Sequence, residues 1–349
     1  MTRQTWTAAV SAVWFLVLAI VIALAPSPFV TYAPGSTYEL LGQAEGQDVI
    51  QVEGLPTHAA TGQIRAATVD VTPLNASVAL PEVLYAHWAP DRDAIPREWH
   101  YPTRTSLAEL RDRESQRLSS AQMNAAAAAL RAAGVAVQQI PMVSTVAQAG
   151  PAIDLMLPGD FVLAVDGRPC STVEEVRAAV EARTAGDPVV LTVLRGTETL
   201  TVTIQTTASS TRQNVPVWGG TLVMGFSYAP IITFHLDPAI GGGSGGMMLA
   251  LATFDRVTDG GLVGDLVVAG SGVIDGAGNI SRAEGIPEKL AAAERDGAEV
   301  FLIPLANCAD VTGIQTRMRL VSVGTLDDAI ASVDALNSPD TEALVEGCS

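Results

Sequence analysis

Residues 6 to 25, WTAAVSAVWFLVLAIVIALA, run for twenty positions without a charged side chain. A helix rises about 1.5 Å per residue and the hydrocarbon core of a bilayer is about 30 Å thick, so this run is long enough to cross one. Secretory signal peptides have a shorter apolar core followed by a small-x-small cleavage site. Ala23-Leu24-Ala25 has that form, but Pro26 follows directly, and proline after the cut is poorly tolerated. The run is therefore read as an uncleaved signal anchor. Arg3 is the only charged side chain before it, and the positive-inside rule puts the short N-terminus in the cytoplasm. Everything after about residue 27 is then expected outside, with the protein held in the cell membrane by one span.

The rest of the chain is long enough, at 349 residues in all, for two or three cores. A composition 48% hydrophobic and 16% charged fits a folded protein rather than a disordered one. The net charge of −17 argues against binding nucleic acid or anionic lipid through a general electrostatic field. The three cysteines, Cys170, Cys308 and Cys348, match no zinc-ligand spacing, and no metal or cofactor is expected. In an oxidising compartment Cys308 and Cys348 can pair and pin the acidic tail, residues 339–349; three free thiols are the other reading. His58, His87 and His100 lack metal-ligand spacing and read as ordinary structural or surface residues.

After the anchor, residues 28–137 mix short β runs with a helix-prone stretch, SLAELRDRESQRLSSAQMNAAAAALRAAG, for which Gly134 is a plausible C-cap. No chemistry is legible there. Residues 138–207 alternate strand, turn and helix: LPGD is a turn, FVLAVDG a strand closed by an Asp-Gly turn, and STVEEVRAAVEA a helix with a Ser or Thr cap. The next block, to residue 338, contains HLDPAIGGGSGGMMLALATFD. A Gly/Ser run usually means a flexible linker. This one lies between a strand-like IITFHL and an apolar helical run, where a tight turn can expose backbone N–H groups and present a serine as nucleophile.

Such a serine needs a base. His235 is one option, with Asp237 or Asp255 as its carboxylate. The other is Lys289. Of the twenty basic residues nineteen are arginine, and Lys289 is the one lysine. Arginine stays protonated in a protein, whereas a desolvated lysine can become neutral and accept a proton. Codon bias explains a lysine-poor chain equally well. Yet in IPEKLAAAERDG, Pro287 suits the first turn of a helix and Gly297 its C-cap, so Lys289 falls where the helix dipole disfavours a cation.

Two resemblances follow from these residues. Pro158-Gly159-Asp160 through Asp166-Gly167 resembles a PDZ domain of the bacterial protease-associated kind, which implies binding of extended peptide ends by strand addition. GGGSGGMMLALATFD, LVVAGSGVIDGAGNI and EGIPEKLAAAERDGAEVFLIPLANC together resemble the proteolytic domain of Lon-type serine proteases, most closely the membrane-anchored, PDZ-containing, YlbL-type group. The resemblance implies an α+β multidomain chain: anchor (1–27), mixed α/β juxtamembrane region (28–137), PDZ domain, β-sandwich-like with helices (138–207), Lon-type α+β protease domain (208–338) and tail. It implies Ser244 as nucleophile, Lys289 as dyad base, Ser271 in the place of a threonine that orients the lysine, and backbone N–H groups around Gly243 and Ser244 as oxyanion donors. It also implies ring-forming homo-oligomers, hexamers among them, acting on unfolded or exported polypeptides. The family's Gly-Gly-Pro-Ser-Ala-Gly has Gly243 and Gly245 here in place of proline and alanine. Its Pro-Ile-Gly-Gly before the lysine helix is replaced by Arg282-Ala283-Glu284-Gly285, and Glu284, if close, would raise the lysine pKa. A PDZ adaptor with a degenerate, inactive protease fold is the alternative. The chain has no GxxxxGK[ST] and no second lysine, so an ATPase motor of its own is excluded and any proteolysis would be ATP-independent.

Overall fold

The computed structural model describes every residue except 1–2, 60, 103–104, 213–214, 238–241, 260, 339–340, 342, 344 and 349, and the backbone but not the side chain of Arg3. Gly241 and the Arg3 side chain thus lie outside the described part. The chain forms two compact units: Val135–Ala229, and a discontinuous unit of Met1–Gly134 with Pro230–Ser349.

The discontinuous unit begins with α1 (Arg3–Leu24). Residues 4–24 of it are apolar enough to cross a membrane, and none of them is buried in the protein. Then come β1 (Pro26–Ser27), β2 (Phe29–Glu39), β3 (Gln63–Val71), β4 (Val78–Ala79), α2 (Leu80–Trp88), β5 (Asp93–Pro96) and α3 (Leu107–Ala132). After the other unit's residues follow α4 (Gly246–Val257), β6 (Val267–Gly270), α5 (Ile286–Arg295), β7 (Val300–Pro304), β8 (Arg319–Val323) and α6 (Leu326–Leu336). Six strands make one sheet in the order β8-β7-β6-β3-β2-β5. The β8–β7, β7–β6 and β6–β3 pairs are parallel, and β3–β2 and β2–β5 are antiparallel. The sequence partition that made 28–137 a region of its own is therefore redrawn: β2 and β3 complete a sheet whose other half lies two hundred residues on.

Successive side chains of a strand point to opposite faces. Val300 and Leu302 join Val268 and Ile64 in a core with the alanines of α3, the apolar face of α4 and α6. Phe301 and Ile303 point the other way, into a core with Ala269 and the Ile286, Leu290 and Ala293 face of α5. The result is three layers, helices on both faces of the sheet, which explains why β7 is apolar at every position. Helix ends carry local signals. Ser106 and Glu109 form a reciprocal capping box at the start of α3, and Gly134 takes φ +76° beyond its end. The tail is tied back by a Cys308–Cys348 disulfide, and the Ser322 N–H donates to the Glu346 carbonyl. Cys170 is free and buried.

The second unit has an antiparallel five-strand path, 198–205, 188–195, 161–165, 138–146 and 220–227. The Val173–Glu181 helix, capped by Thr172 and Glu175, packs against it. Asp166 and Gly167 both have positive φ, as a two-residue hairpin turn with the right-handed strand twist requires. Asp160 is buried. Burial pushes its carboxyl up, but hydrogen bonds from Arg195 and the Leu157 N–H outweigh that and hold it below its ordinary value.

Candidate active site

The cleft beside Ser244 lies at the carboxyl ends of the parallel strands, the usual place for a site in such a sheet. β6 ends at Gly270, where a Cβ would stand 2.7 Å from Met248 Sδ and 2.9 Å from the Leu302 carbonyl, so only glycine lets α4 approach so closely. Ser271 follows, fully buried. Its hydroxyl donates to the Ser244 carbonyl at 3.0 Å, and the Gly272 N–H donates to the same oxygen at 2.7 Å. Two donors thus fix the turn that carries Ser244 just before α4.

Lys289 comes from the opposite face of the sheet. Gly285, at φ +67°, starts α5 in the left-handed region, and the Lys289 N–H donates to the Gly285 carbonyl in the first turn. The lysine side chain reaches Ser244 Oγ at 2.9 Å and Ser271 Oγ at 3.0 Å. Because Ser271 spends its proton on the Ser244 carbonyl, it can only accept from Nζ. One N–H of the amine is thereby oriented, and in the neutral amine the lone pair is left for the Ser244 hydroxyl proton.

Lys289 is 2% exposed. Burial lowers its pKa from 10.5 to about 8, against the opposing pull of the Glu284 and Glu288 carboxylates. The sequence flagged Glu284 as a neighbour that would raise the value. It does, from an exposed position, and desolvation outweighs it. Arg282, the other departure, makes a two-point contact with Asp310. Gly243 and Gly245 have space: a Cβ on either would meet nothing nearer than 3.9 Å, so neither position demands glycine for room.

Of the residues singled out from the sequence, Ser244, Lys289 and Ser271 meet. Gly243 lines the same cleft. The Ser244 and Gly245 N–H groups donate to no acceptor among the described residues, as oxyanion donors would have to be. His235 is elsewhere: its Nε2 lies 3.2 Å from Gln51 Oε1 and its N–H donates to the Val49 carbonyl. Asp255 is buried on α4 and accepts from the Leu262 N–H. No group of three or more metal-ligating side chains occurs among the described residues.

The cleft has a volume of about 720 Å³ and is walled by the 242–245 turn, by β3 at Ala66 and Val69, and by α3 at Leu110, Glu114 and Arg117. The β3 and α3 walls come from the stretch in which the sequence showed no chemistry. A second cavity, of about 990 Å³, shares Tyr32, His100 and Glu284 with it. There Tyr32 Oη and His100 Nδ1 are 2.6 Å apart; burial pushes the tyrosine up and the histidine down. Glu288 also lines that cavity, nearly buried, its carboxyl pushed up by burial against its own N–H and then by Asp93. Its adjacency to Lys289 was the one signal that could have found it.

A PDZ domain model matches residues 109–206, and the chain carries a PDZ domain there. Solved structures, two of them PDZ domains, are similar over about a quarter of the chain. The PDZ domain of the SdrC-like protein from Listeria monocytogenes is 26% identical, over 24% of this chain and 86% of that one, with a TM-score of 0.23. The equivalent from Listeria innocua is 21% identical, over 24% and 92%, also with a TM-score of 0.23. A protein from Geobacillus thermodenitrificans is 26% identical, over 24% and 95%, with a TM-score of 0.22. No curated protein matches the chain.

Proposed function

We propose that the protein is an ATP-independent serine endopeptidase of the Lon type, held in the membrane by α1, with a PDZ domain that recruits or gates unfolded or exported polypeptides. The observation that carries this reading is the contact of a buried lysine, its pKa lowered to about 8, with Ser244 Oγ at 2.9 Å. Perturbed, desolvated amines paired with a hydroxyl in a cleft mark nucleophile activation. The Cys308–Cys348 disulfide supports an extracytoplasmic location, since such bonds persist in oxidising compartments. Assembly into a ring, hexameric in the related group, belongs to the same proposal.

In the mechanism, neutral Lys289 accepts the Ser244 Oγ proton as Oγ bonds to the peptide carbonyl carbon. The carbonyl oxygen becomes an oxyanion stabilised by backbone N–H groups of the turn around Gly243 and Ser244, with Gly245 beside them. As the C–N bond breaks, Lys289 gives the proton to the departing amine. Water then attacks the acyl-serine ester, again losing a proton to Lys289, and the acid product leaves as Ser244 recovers its own.

The family match to a PDZ domain alone equally fits a second reading, a membrane-bound peptide-binding adaptor without activity. Casein cleavage by the full chain in detergent separates the two. The wild type cleaves, while Ser244→Ala and Lys289→Arg do not, because arginine keeps the charge and cannot give it up. A wild type as inert as Ser244→Ala, with C-terminal peptides still bound, establishes the adaptor.

A further inference from the structure

α2 faces the wrong way for a helix of a water-soluble surface. Its two buried residues, Val83 and Ala86, point inward. On the other side Leu80, Leu84 and Trp88, spaced i, i+4 and i+8, form one apolar stripe with Tyr85 beside it. Their exposures are 39%, 42%, 76% and 59% respectively. Tyr85 is additionally covered on one side by the Arg92 guanidinium, 5.4 Å from its ring centre.

The position of α2 says what meets this stripe. β1 begins two residues beyond the end of α1 and pairs with β4, Pro26 opposite Ala79 and Ser27 opposite Val78. Ala79 is the residue directly before α2, and α2 also packs against α1. Paired strands lie about 4.8 Å apart, so α2 starts within one strand spacing of the chain leaving the apolar span. The 21-residue span of α1 is about 31 Å long, the thickness of the hydrocarbon core, and the headgroup layer adds several ångströms on each side. α2 therefore starts inside that layer. Tryptophan and tyrosine collect at both interfaces of a membrane span. Trp6 serves the first turn of α1, whereas the exit end has no Trp or Tyr before Tyr32, which is buried. Tyr85 and Trp88 supply the missing anchor.

We propose that α2 is an interfacial helix, laid into the outer leaflet at the base of α1 through Leu80, Leu84, Tyr85 and Trp88, so that the discontinuous unit is seated on the lipid surface rather than hanging from it by a free linker. The seating rests on α1 being retained as a membrane span. It uses no cation of the helix itself: within α2 the charged or titratable polar residues are Glu82 and His87, and the chain's net charge is −17. The occupant is thus the apolar–polar boundary of the bilayer itself, anionic headgroups not being required.

The test places nitroxide labels on the full chain in phosphatidylcholine proteoliposomes, at Leu84→Cys, Trp88→Cys and, on a different face of the same helix, Glu82→Cys. Collision with oxygen, which concentrates in lipid, is compared with collision with a water-soluble nickel chelate. Oxygen exceeds the chelate at 84 and 88, the order reverses at 82, and adding phosphatidylglycerol changes neither. A chelate excess at all three sites overturns the proposal, as does spin–spin broadening at 84 and 88 that grows with protein density, which would assign the stripe to a second copy. The readout needs no peptidase activity, so it fails or succeeds independently of the proposed function.

Discussion

Replacing Lys289 by methionine keeps roughly the length of the side chain and removes its ability to bind a proton, together with its hydrogen bonds to two serines. The wild-type lysine has a folded pKa of about 8 against 10.5 unfolded. Below pH 8 both states are protonated and the native state bears the whole cost of the buried ammonium, about 3 kcal/mol at pH 7 from the difference in pKa. Between pH 8 and 10.5 the unfolded chain binds the extra proton, so stability rises with pH and the cost falls to about 1 kcal/mol at pH 10. Methionine has no such dependence. Losing the amine leaves the Ser244 and Ser271 hydroxyls short of one partner, an offset that does not change with pH. The prediction is therefore a slope: from pH 7 to pH 10 the wild type gains roughly 2–3 kcal/mol on Lys289→Met. For a unit of this size that corresponds to about 5–10 °C in Tm. Thermal melts of both full-length proteins in the same detergent, taken at half-unit pH steps, measure it, and every other titrating group cancels in the difference. A wild-type-minus-variant curve that is flat from pH 7 to 10 would falsify the buried, depressed lysine and with it the basis for a dyad.

Three further outcomes follow from the same geometry. Glu284→Gln removes the leading influence that raises the Lys289 pKa, so the acid limb of the proposed activity shifts to lower pH in a pH–rate profile; a shift to higher pH contradicts the assignment. Gly245→Ala adds a methyl with no close neighbour at the N-cap of α4, where the entropy lost by the unfolded chain offsets alanine's poorer capping, so stability in urea denaturation changes by less than about 1 kcal/mol; a larger loss contradicts the open space beside it. The Cys308→Ala/Cys348→Ala double variant opens a loop of sequence separation 40 and lowers unfolding stability by roughly 3–4 kcal/mol, while Cys170→Ala leaves the disulfide intact on non-reducing mass analysis.

What could be read in advance was local. The apolar run of α1, Gly134 past the end of α3, Pro287 ahead of Lys289 and the Asp166-Gly167 turn are each decided by neighbours a few residues apart, and the structure has all of them. The sheet was not legible. β3 pairs in parallel with β6, Ile64 opposite Val268, and parallel pairing between segments so distant leaves no local mark in either. For the same reason Ala66, Glu114 and Arg117 gave no hint that they wall the Ser244 cleft. Ser244 and Lys289 were visible as residue types in suggestive turns; that His235 is turned to Gln51 instead depends on where IITFHL pairs, against Ile50–Glu53, which no spacing rule supplies.

The acidic flank that sets this chain apart from the family it resembles takes on a different meaning in the folded site. A lysine buried at 2% exposure with no carboxylate nearby would have a lower pKa still, and in the proposed mechanism its conjugate acid would form more reluctantly when Ser244 gives up its proton. Glu284 and Glu288 pull the other way, and the value settles at about 8. At that value about one molecule in ten is neutral at pH 7 and about half are at pH 8, and the ammonium is still acidic enough to protonate a leaving amine. In the proposed dyad, burial makes the amine available as a base and the carboxylates set its strength. Arginine, which fills every other basic position in the chain, can be tuned in neither direction, so on the proposed mechanism the one lysine stands where a cation must also be able to become neutral.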